Sequence, residues 1–250
     1  MSHALFGSAA DRYDLHTPPH HYQHDHTFVL SRLPKPSSRV LDVGCGTGVF
    51  LEKAIAAGFD ATGIDASPEM ISLASQRVGS EHVKVARMQD LNELEVYDAI
   101  VSLCWSFNYV TSFHEAEEVL GRLCKALKPG GLLILQIAHA PNASGLLNED
   151  REPGPNGETD DVIFLYRFSQ ENEPFGEMRI QYVYGSKSLS ELVFEEHRLH
   201  AADAHKVGEL AGINGFEDIV LLDSWRAEPL NKSVNAFLLA RRRQYLHQRG

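Results

Sequence analysis

The stretch Arg39-Val40-Leu41-Asp42-Val43-Gly44-Cys45-Gly46-Thr47-Gly48 decides how this chain folds. A short apolar run carrying Asp42 passes into a turn built on three glycines, as a buried strand does when it meets a tight reversal. Glycine lets the backbone turn sharply and approach a ligand closely. The segment behind it, Val49–Ala57, has apolar residues at helical spacing and is closed by Gly58. Its first turn therefore offers unpaired N–H groups to whatever lies over the strand end. Many nucleotide-binding proteins carry such a turn, and alone it is weak evidence.

The same alternation continues outward. Ala61–Ile64 reads as a second strand leading into Asp65, and Ser67-Pro68-Glu69 places a capping serine and a proline ahead of a helix over Met70–Val78. Val83–Arg87 is a third strand. Tyr97–Leu103 is a fourth, apolar enough to be buried on both faces. An amphipathic helix over Phe113–Leu127 stops at Lys128-Pro129-Gly130-Gly131, and Leu132–Ile137 is a fifth strand. Strands alternating with helices imply a parallel sheet covered on both sides. Asp65 lies about 20 residues after the glycine turn, at the end of the neighbouring strand, where a carboxylate can accept from both ribose hydroxyls of an adenosine. The expected ligand therefore contains adenosine.

Beyond Ala140 the alternation breaks. Pro141–Asp160 has loop composition. Val162–Phe168 and Glu177–Tyr184 alternate apolar and polar residues around a turn through Glu173-Pro174-Phe175-Gly176, which predicts an antiparallel hairpin with Glu191–His200 as a third strand. A helix near Ala202–Ala211 and strands over Glu217–Ser224 and Ala236–Ala240 follow. Ahead of the sheet, a helix is expected from about His20 to Arg32, stopping at Leu33-Pro34-Lys35-Pro36.

Composition narrows the functions available. With 23 basic and 34 acidic residues the formal charge is −11, a field that repels a phosphate backbone. Nucleic acid is not an expected partner, and Arg241-Arg242-Arg243 reads as a solvated tail. No run of residues approaches the length of a membrane span, and Cys45, Cys104 and Cys124 are too scattered for a disulfide framework or a zinc cluster. A cytoplasmic protein is expected. His20, His21, His24 and His26 crowd one segment, but without a neighbouring HExxH pattern they read as part of a cap over the site, and no metal is expected.

Asp42, the turn Gly44, Gly46, Gly48, the segment Asp65-Ala66-Ser67-Pro68-Glu69-Met70 and the turn Leu127-Lys128-Pro129-Gly130-Gly131 together resemble class I S-adenosylmethionine-dependent methyltransferases. The resemblance covers roughly residues 36–140 well and the remainder loosely. An NAD-binding Rossmann protein would more often show GxGxxG, whereas Val49 stands at the last glycine position here. The resemblance implies an α/β fold with a Rossmann-like seven-stranded sheet, an N-terminal helical cap and an antiparallel β insertion. It implies a single methyltransferase domain over 1–250, with a cap over 1–36, a cofactor-binding core over 37–140, a loop and acceptor-side insertion over 141–200, and a closing helix and strands over 201–250.

By the same resemblance the cofactor is S-adenosyl-L-methionine. Gly44 and Gly46 would lie against its methionyl part, Asp65 would hold the ribose and Met70 would pack near the adenine, with Asp42, Cys45 and Ala66 also among the cofactor-binding residues. Many relatives place an acidic residue at Arg87 for the adenine amine; here either Asp90 or the backbone of Met88 and Gln89 takes that place. The Leu103 carbonyl would receive the methionyl ammonium. The N-terminal Asp11-Arg12-Tyr13-Asp14-Leu15 and Tyr22 resemble the folding-over helix of amino-sugar and small-amine N-methyltransferases, with Tyr22 touching the cofactor carboxylate.

Trp105 and Tyr109 would form an aromatic wall suited to a cationic group, with Phe107 in the core. Gln136 and His139 would face the acceptor. An amine must be neutral to attack, so His139 or Tyr13 is expected to accept its proton. The partner is thus a small-molecule acceptor, most simply an amine nitrogen, and apolar insertion strands could mediate a homodimer. O-, C- or carboxyl-methylation of a small metabolite is the near alternative. A non-catalytic nucleotide-binding protein or an NAD-dependent Rossmann oxidoreductase is the alternative from another class.

Overall fold

The computed structural model of the chain describes residues 3–143, 147–148, 162–171, 176–186 and 191–244. In chain order the elements are α1 (Tyr13–His16), α2 (Gln23–Arg32), β1 (Arg39–Val43), α3 (Val49–Ala56), β2 (Asp60–Asp65), α4 (Pro68–Val78), β3 (Val83–Val85) and β4 (Tyr97–Ser102). There follow α5 (Phe113–Ala126), β5 (Leu127–Ala138), β6 (Leu147–Asn148), β7 (Val162–Glu171), β8 (Glu177–Ser186), β9 (Glu191–Leu199), α6 (Ala204–Ile213), β10 (Phe216–Leu222) and β11 (Asn235–Arg242).

The main sheet has the order β10-β11-β5-β4-β1-β2-β3. Strands β1 to β5 pair in parallel, and β11 lies antiparallel between β5 and β10. The chain first builds outward from β1 to β3 and then returns to place β4 on the other side of β1. That reversal opens a crevice beyond the carboxyl ends of β1 and β4, where ligands bind in open α/β sheets.

Alternate residues of each central strand supply two cores. Leu41, Ile100 and Leu133 pack with Leu120 and Leu123 of α5 and Val207 of α6. Val40, Val101 and Ile134 pack on the opposite face with Val29 of α2 and Leu51 of α3. This explains why β4 and β5 are apolar throughout. Helix starts follow local chemistry: Ser67 Oγ accepts from the Met70 N–H ahead of α4, and Ser112 Oγ accepts from the Glu115 N–H ahead of α5, both at 3.1 Å.

The predicted hairpin and third strand are present as β7, β8 and β9 in an antiparallel sheet ordered β6-β7-β8-β9. The short β6 and the end of a 3₁₀ turn over Ala140–Asn142 fall inside the segment expected to be a loop, and residues 144–146 and 149–160 of that segment, with residues 173–175 of the turn, lie outside the described residues. The N-terminal helix begins later than predicted because Pro19–Tyr22 forms a 3₁₀ turn and the α-helix starts at Gln23. Strand β5 starts earlier, at Leu127, because Pro129-Gly130-Gly131 is absorbed as a register shift against β4. No helix among the described residues is long and apolar enough to cross a membrane.

The second sheet is seated on the first through a small core of Ala138, Phe168, Met178, Ile180 and Leu199. Asn108 locks that junction. It is fully buried, and its amide donates to the carbonyls of His200 (3.0 Å) and Ala201 (3.1 Å) while its oxygen accepts from the Ala138 N–H (2.9 Å). Truncating it strands three buried backbone groups, so Asn108→Ala is expected to lower the unfolding free energy by about 2–4 kcal/mol. Urea denaturation checks this, and an unchanged midpoint would show that the junction is held by apolar packing alone.

Candidate active site

At the C-terminal end of β1 the turn residues Gly44, Gly46 and Gly48 all have positive φ, at 78°, 53° and 82°. A Cβ on Gly44 would sit 2.4 Å from Ser106 Cβ, so that position excludes every side chain. A Cβ on Gly46 would meet nothing within 4 Å, so this glycine is required by its backbone angle and faces open space.

The turn is pinned from the adjacent strand. Asp65, at the end of β2, accepts from the Gly46 N–H through Oδ2 (3.0 Å) and from the Ser67 N–H through Oδ1 (2.9 Å). Burial raises its pKa, against the opposing pull of the Ser67, Gly46 and Ala66 N–H groups. Asp42, on β1, is almost fully buried, and its Oδ1 has no hydrogen-bond partner. Burial, followed by the neighbouring Asp65 charge, pushes the Asp42 carboxyl up to about 8. Two acidic groups stand in one low-dielectric wall, and one has an oxygen without a hydrogen-bond partner that a ligand can meet.

These groups line a cavity of about 860 Å³. Of the predicted cofactor contacts, Tyr22, Asp42, Gly44, Cys45, Gly46, Asp65, Ala66, Met70, Met88, Gln89 and Leu103 all lie in its wall. Asp90 does not. The 3₁₀ turn Met88–Asp90 carries it outward, and it is exposed, so the alternative through Met88 and Gln89 is the one the geometry retains. The Leu103 carbonyl already accepts from the Ser106 N–H at 3.0 Å, which leaves one lone pair for a ligand.

A second cavity of about 360 Å³ adjoins the first, and Phe6, Tyr13, Tyr22, Cys104 and Tyr109 line both. Trp105, Gln136 and Asp25 also line it, with Phe168 packed edge-on against Trp105. Gln136 accepts from the Cys104 N–H and donates to Asp25 Oδ2, each at 2.8 Å. Trp105 donates from Nε1 to Asn235 Oδ1 at 3.0 Å. Cys104 and Trp105 both hold positive φ, at 49° and 63°, a strain of about 1–3 kcal/mol per residue that such bonds sustain at functional sites. Phe107 is fully buried in the core, as expected.

The two predicted proton acceptors are placed differently. His139 lines neither cavity: it is buried, its Nδ1 accepts from the Ala204 N–H at 3.2 Å, and it lies 3.8 Å from Asp203 at the start of α6. Beyond Ala138 the chain leaves β5, and the imidazole caps a helix instead of facing an acceptor. Tyr13 does line both cavities, but burial, followed by the Cys104 charge, raises its phenol pKa.

Sequence reasoning missed Asp25, whose carboxyl burial raises although the Gln136 hydrogen bond opposes it. It also missed the lock that holds the N-terminal segment over the crevice. Thr47 Oγ1 donates to Asp14 Oδ1 at 2.7 Å, Arg77 pairs with Asp14 Oδ2, and Ser67 Oγ donates to the Phe6 carbonyl at 2.5 Å. The crowded histidines do not converge: His24 stacks on Trp225, while His26 packs against Phe50 and is lowered by burial to about 3.

Residues 15–193 match a family described as Methyltransferase domain. The chain belongs to this family. Over 141 residues it is 33% identical to a putative methyltransferase, YqeM, of Bacillus subtilis (strain 168), covering 55% of this chain and 56% of that one. Over 108 residues it is 31% identical to a dTDP-4-amino-2,3,4,6-tetradeoxy-D-glucose N,N-dimethyltransferase of Saccharopolyspora spinosa, covering 43% of each. The chain thus spans about half the length of the curated relatives it matches. The structure of an S-adenosylmethionine-dependent methyltransferase from Clostridium acetobutylicum ATCC 824 has the same fold, with TM-score 0.71 at 18% identity, covering 89% of this chain and 92% of that one. The cofactor indicated by this membership is S-adenosylmethionine.

The buried Asp42 gives the methyltransferase domain a measurable pH signature. Folded Asp42 keeps its proton up to about 8, whereas an unfolded aspartate loses it near ~3.9. Between those values the folded state binds more protons, so its stability is greatest below the window and falls as pH rises through it. Asp42→Asn is expected to flatten this decline in urea unfolding measured from about pH 5 to about pH 8; identical slopes for both proteins would refute the assignment.

Proposed function

We propose that the chain transfers a methyl group from S-adenosylmethionine to a small-molecule amine, with residues 1–250 acting as one unit. The observation that carries this reading is the pair of cavities that meet at Tyr13, Tyr22, Cys104 and Tyr109. The larger is built for a nucleoside. A carboxylate has about four lone-pair sites, and Asp65 directs them at the Gly46 and Ser67 N–H groups with the Ala66 N–H close by, leaving acceptor capacity for a ribose hydroxyl. The free lone pair of Leu103 suits the cationic amino-acid end, with the unpartnered Asp42 oxygen in the same wall, Met70, Met88 and Gln89 suit the adenine, and Tyr22 the cofactor carboxylate.

When bound, the cofactor supplies a methyl carbon already activated by its sulfonium. The protein's task is alignment and exclusion of water. Tyr13, Tyr22 and Tyr109 form the boundary across which the two ligands face each other, and the N-terminal segment covers it. In the smaller cavity, aromatic faces at Trp105 and Tyr109 together with the Asp25 carboxyl favour a cationic or protonated acceptor. Asp25, raised by burial and held by Gln136, is placed to take the proton that an ammonium must lose before it attacks.

Oxygen, carbon or carboxylate acceptors form the second reading, and other matched relatives are named O-methyltransferases. The described lining of the smaller cavity holds no lysine or arginine, which disfavours a carboxylate. Exposed Leu192 and Phe194 on β9 support the proposed homodimer.

Asp65→Ala removes charge-assisted hydrogen bonding to the ribose as well as the pin on the turn, so cofactor affinity is expected to fall by about 10²-fold or more. Calorimetry checks this, with thermal shift by NADH as the control for an oxidoreductase; unchanged affinity, or stabilisation by NADH alone, would defeat the reading. An acceptor panel of amines, alcohols and carboxylates, read out by thioether release, is expected to show turnover with amines. On the best amine, Asp25→Asn is expected to lower kcat by about 10²-fold and to remove the acidic limb of the pH profile. A panel in which only hydroxyl compounds react selects the second reading.

A further inference from the structure

Strand β9 reverses the usual apolar-inward alternation. Leu192 and Phe194 point to solvent, while Glu195 and the fully buried His197 occupy the other face. Ionisable groups are not placed on a covered face without a compensating partner. There they meet His3 from the N-terminal segment, and the three side chains form a cluster whose candidate ligand atoms all lie within 4.8 Å of one another.

We infer that His3, Glu195 and His197 form a three-ligand site for a divalent cation of the zinc type, which ties the N-terminal segment to β9. His3 Nδ1 and His197 Nε2 lie 3.3 Å and 3.2 Å from the same carboxylate oxygen, Glu195 Oε1. A tetrahedral ion with bonds of about 2.0–2.1 Å needs ligand atoms about 3.3 Å apart. His197 is fully buried, and the contact of its Nε2 with Glu195 Oε1 falls outside good hydrogen-bond geometry.

The surrounding contacts are those that orient metal ligands. The Tyr109 hydroxyl bonds His197 Nδ1 at 2.5 Å and thereby directs Nε2 at the cluster. Glu195 Oε2 accepts from the Leu5 N–H (3.0 Å) and the Tyr184 hydroxyl (2.9 Å), which leaves Oε1 for a cation. Two imidazoles and one carboxylate are a zinc-type donor set.

The test uses the untagged 250-residue protein stripped with EDTA. Titration with Zn²⁺ in a calorimeter is expected to show one equivalent bound with Kd of about 1 μM or tighter, and Co²⁺ is expected to give visible absorption of low-symmetry coordination. His3→Ala, Glu195→Gln and His197→Ala are each expected to weaken Zn²⁺ binding by about 10²-fold, while His24→Ala binds as wild type. His3 is partly exposed, so its variant keeps the test valid even where His197→Ala does not fold. Absence of saturable Zn²⁺ binding, or wild-type affinity in any folded variant of the three, overturns the assignment.

Discussion

The arrangement depends on one carboxylate. Asp65 bridges the ends of two adjacent strands by accepting from Gly46 on one side and from Ser67 on the other. Without that bridge a turn with three positive φ angles would lack a fixed shape, because glycine pays the largest conformational entropy of any residue. The same contact sets the start of α4, since Ser67 then caps that helix. A residue proposed to grip the cofactor is therefore also the one that shapes the cradle around it. Burial works against its charge, and three backbone N–H groups offset that cost.

The second determinant is the N-terminal segment, which contributes wall residues to both cavities. It is held by polar contacts to the turn and to α4, namely Asp14 with Thr47 and Arg77, and the Phe6 carbonyl with Ser67. These partners flank the glycine turn and the Asp65 segment, so the cap is anchored to the same elements that the cofactor is proposed to occupy. Covering the crevice and forming it are in this way physically linked, and ordering one favours ordering the other.

The strained pair Cys104 and Trp105 marks where the two cavities join. A residue leaving a parallel strand would ordinarily continue into a helix. Here the backbone is turned into the left-handed region and held by Gln136 from the neighbouring strand. Gln136 in turn reaches Asp25, so β4, β5 and α2 are coupled through one side chain.

By itself the sequence determined the parallel sheet, the glycine turn, the position of Asp65 and the late antiparallel strands, because these follow from periodicity, glycine spacing and local capping. Most of the cavity wall at Gly44, Asp65 and Met70 was legible for the same reason: each lies within a few residues of a motif. The tertiary structure alone decided the rest. Whether His139 meets an acceptor or a helix end, whether Asp90 turns inward, and that Asp25 reaches Gln136 from 111 residues away depend on packing between distant elements, which no local pattern encodes. Proton affinities belong to that class as well, since Asp42 and Tyr13 take theirs from burial and neighbours that exist only once the layers close.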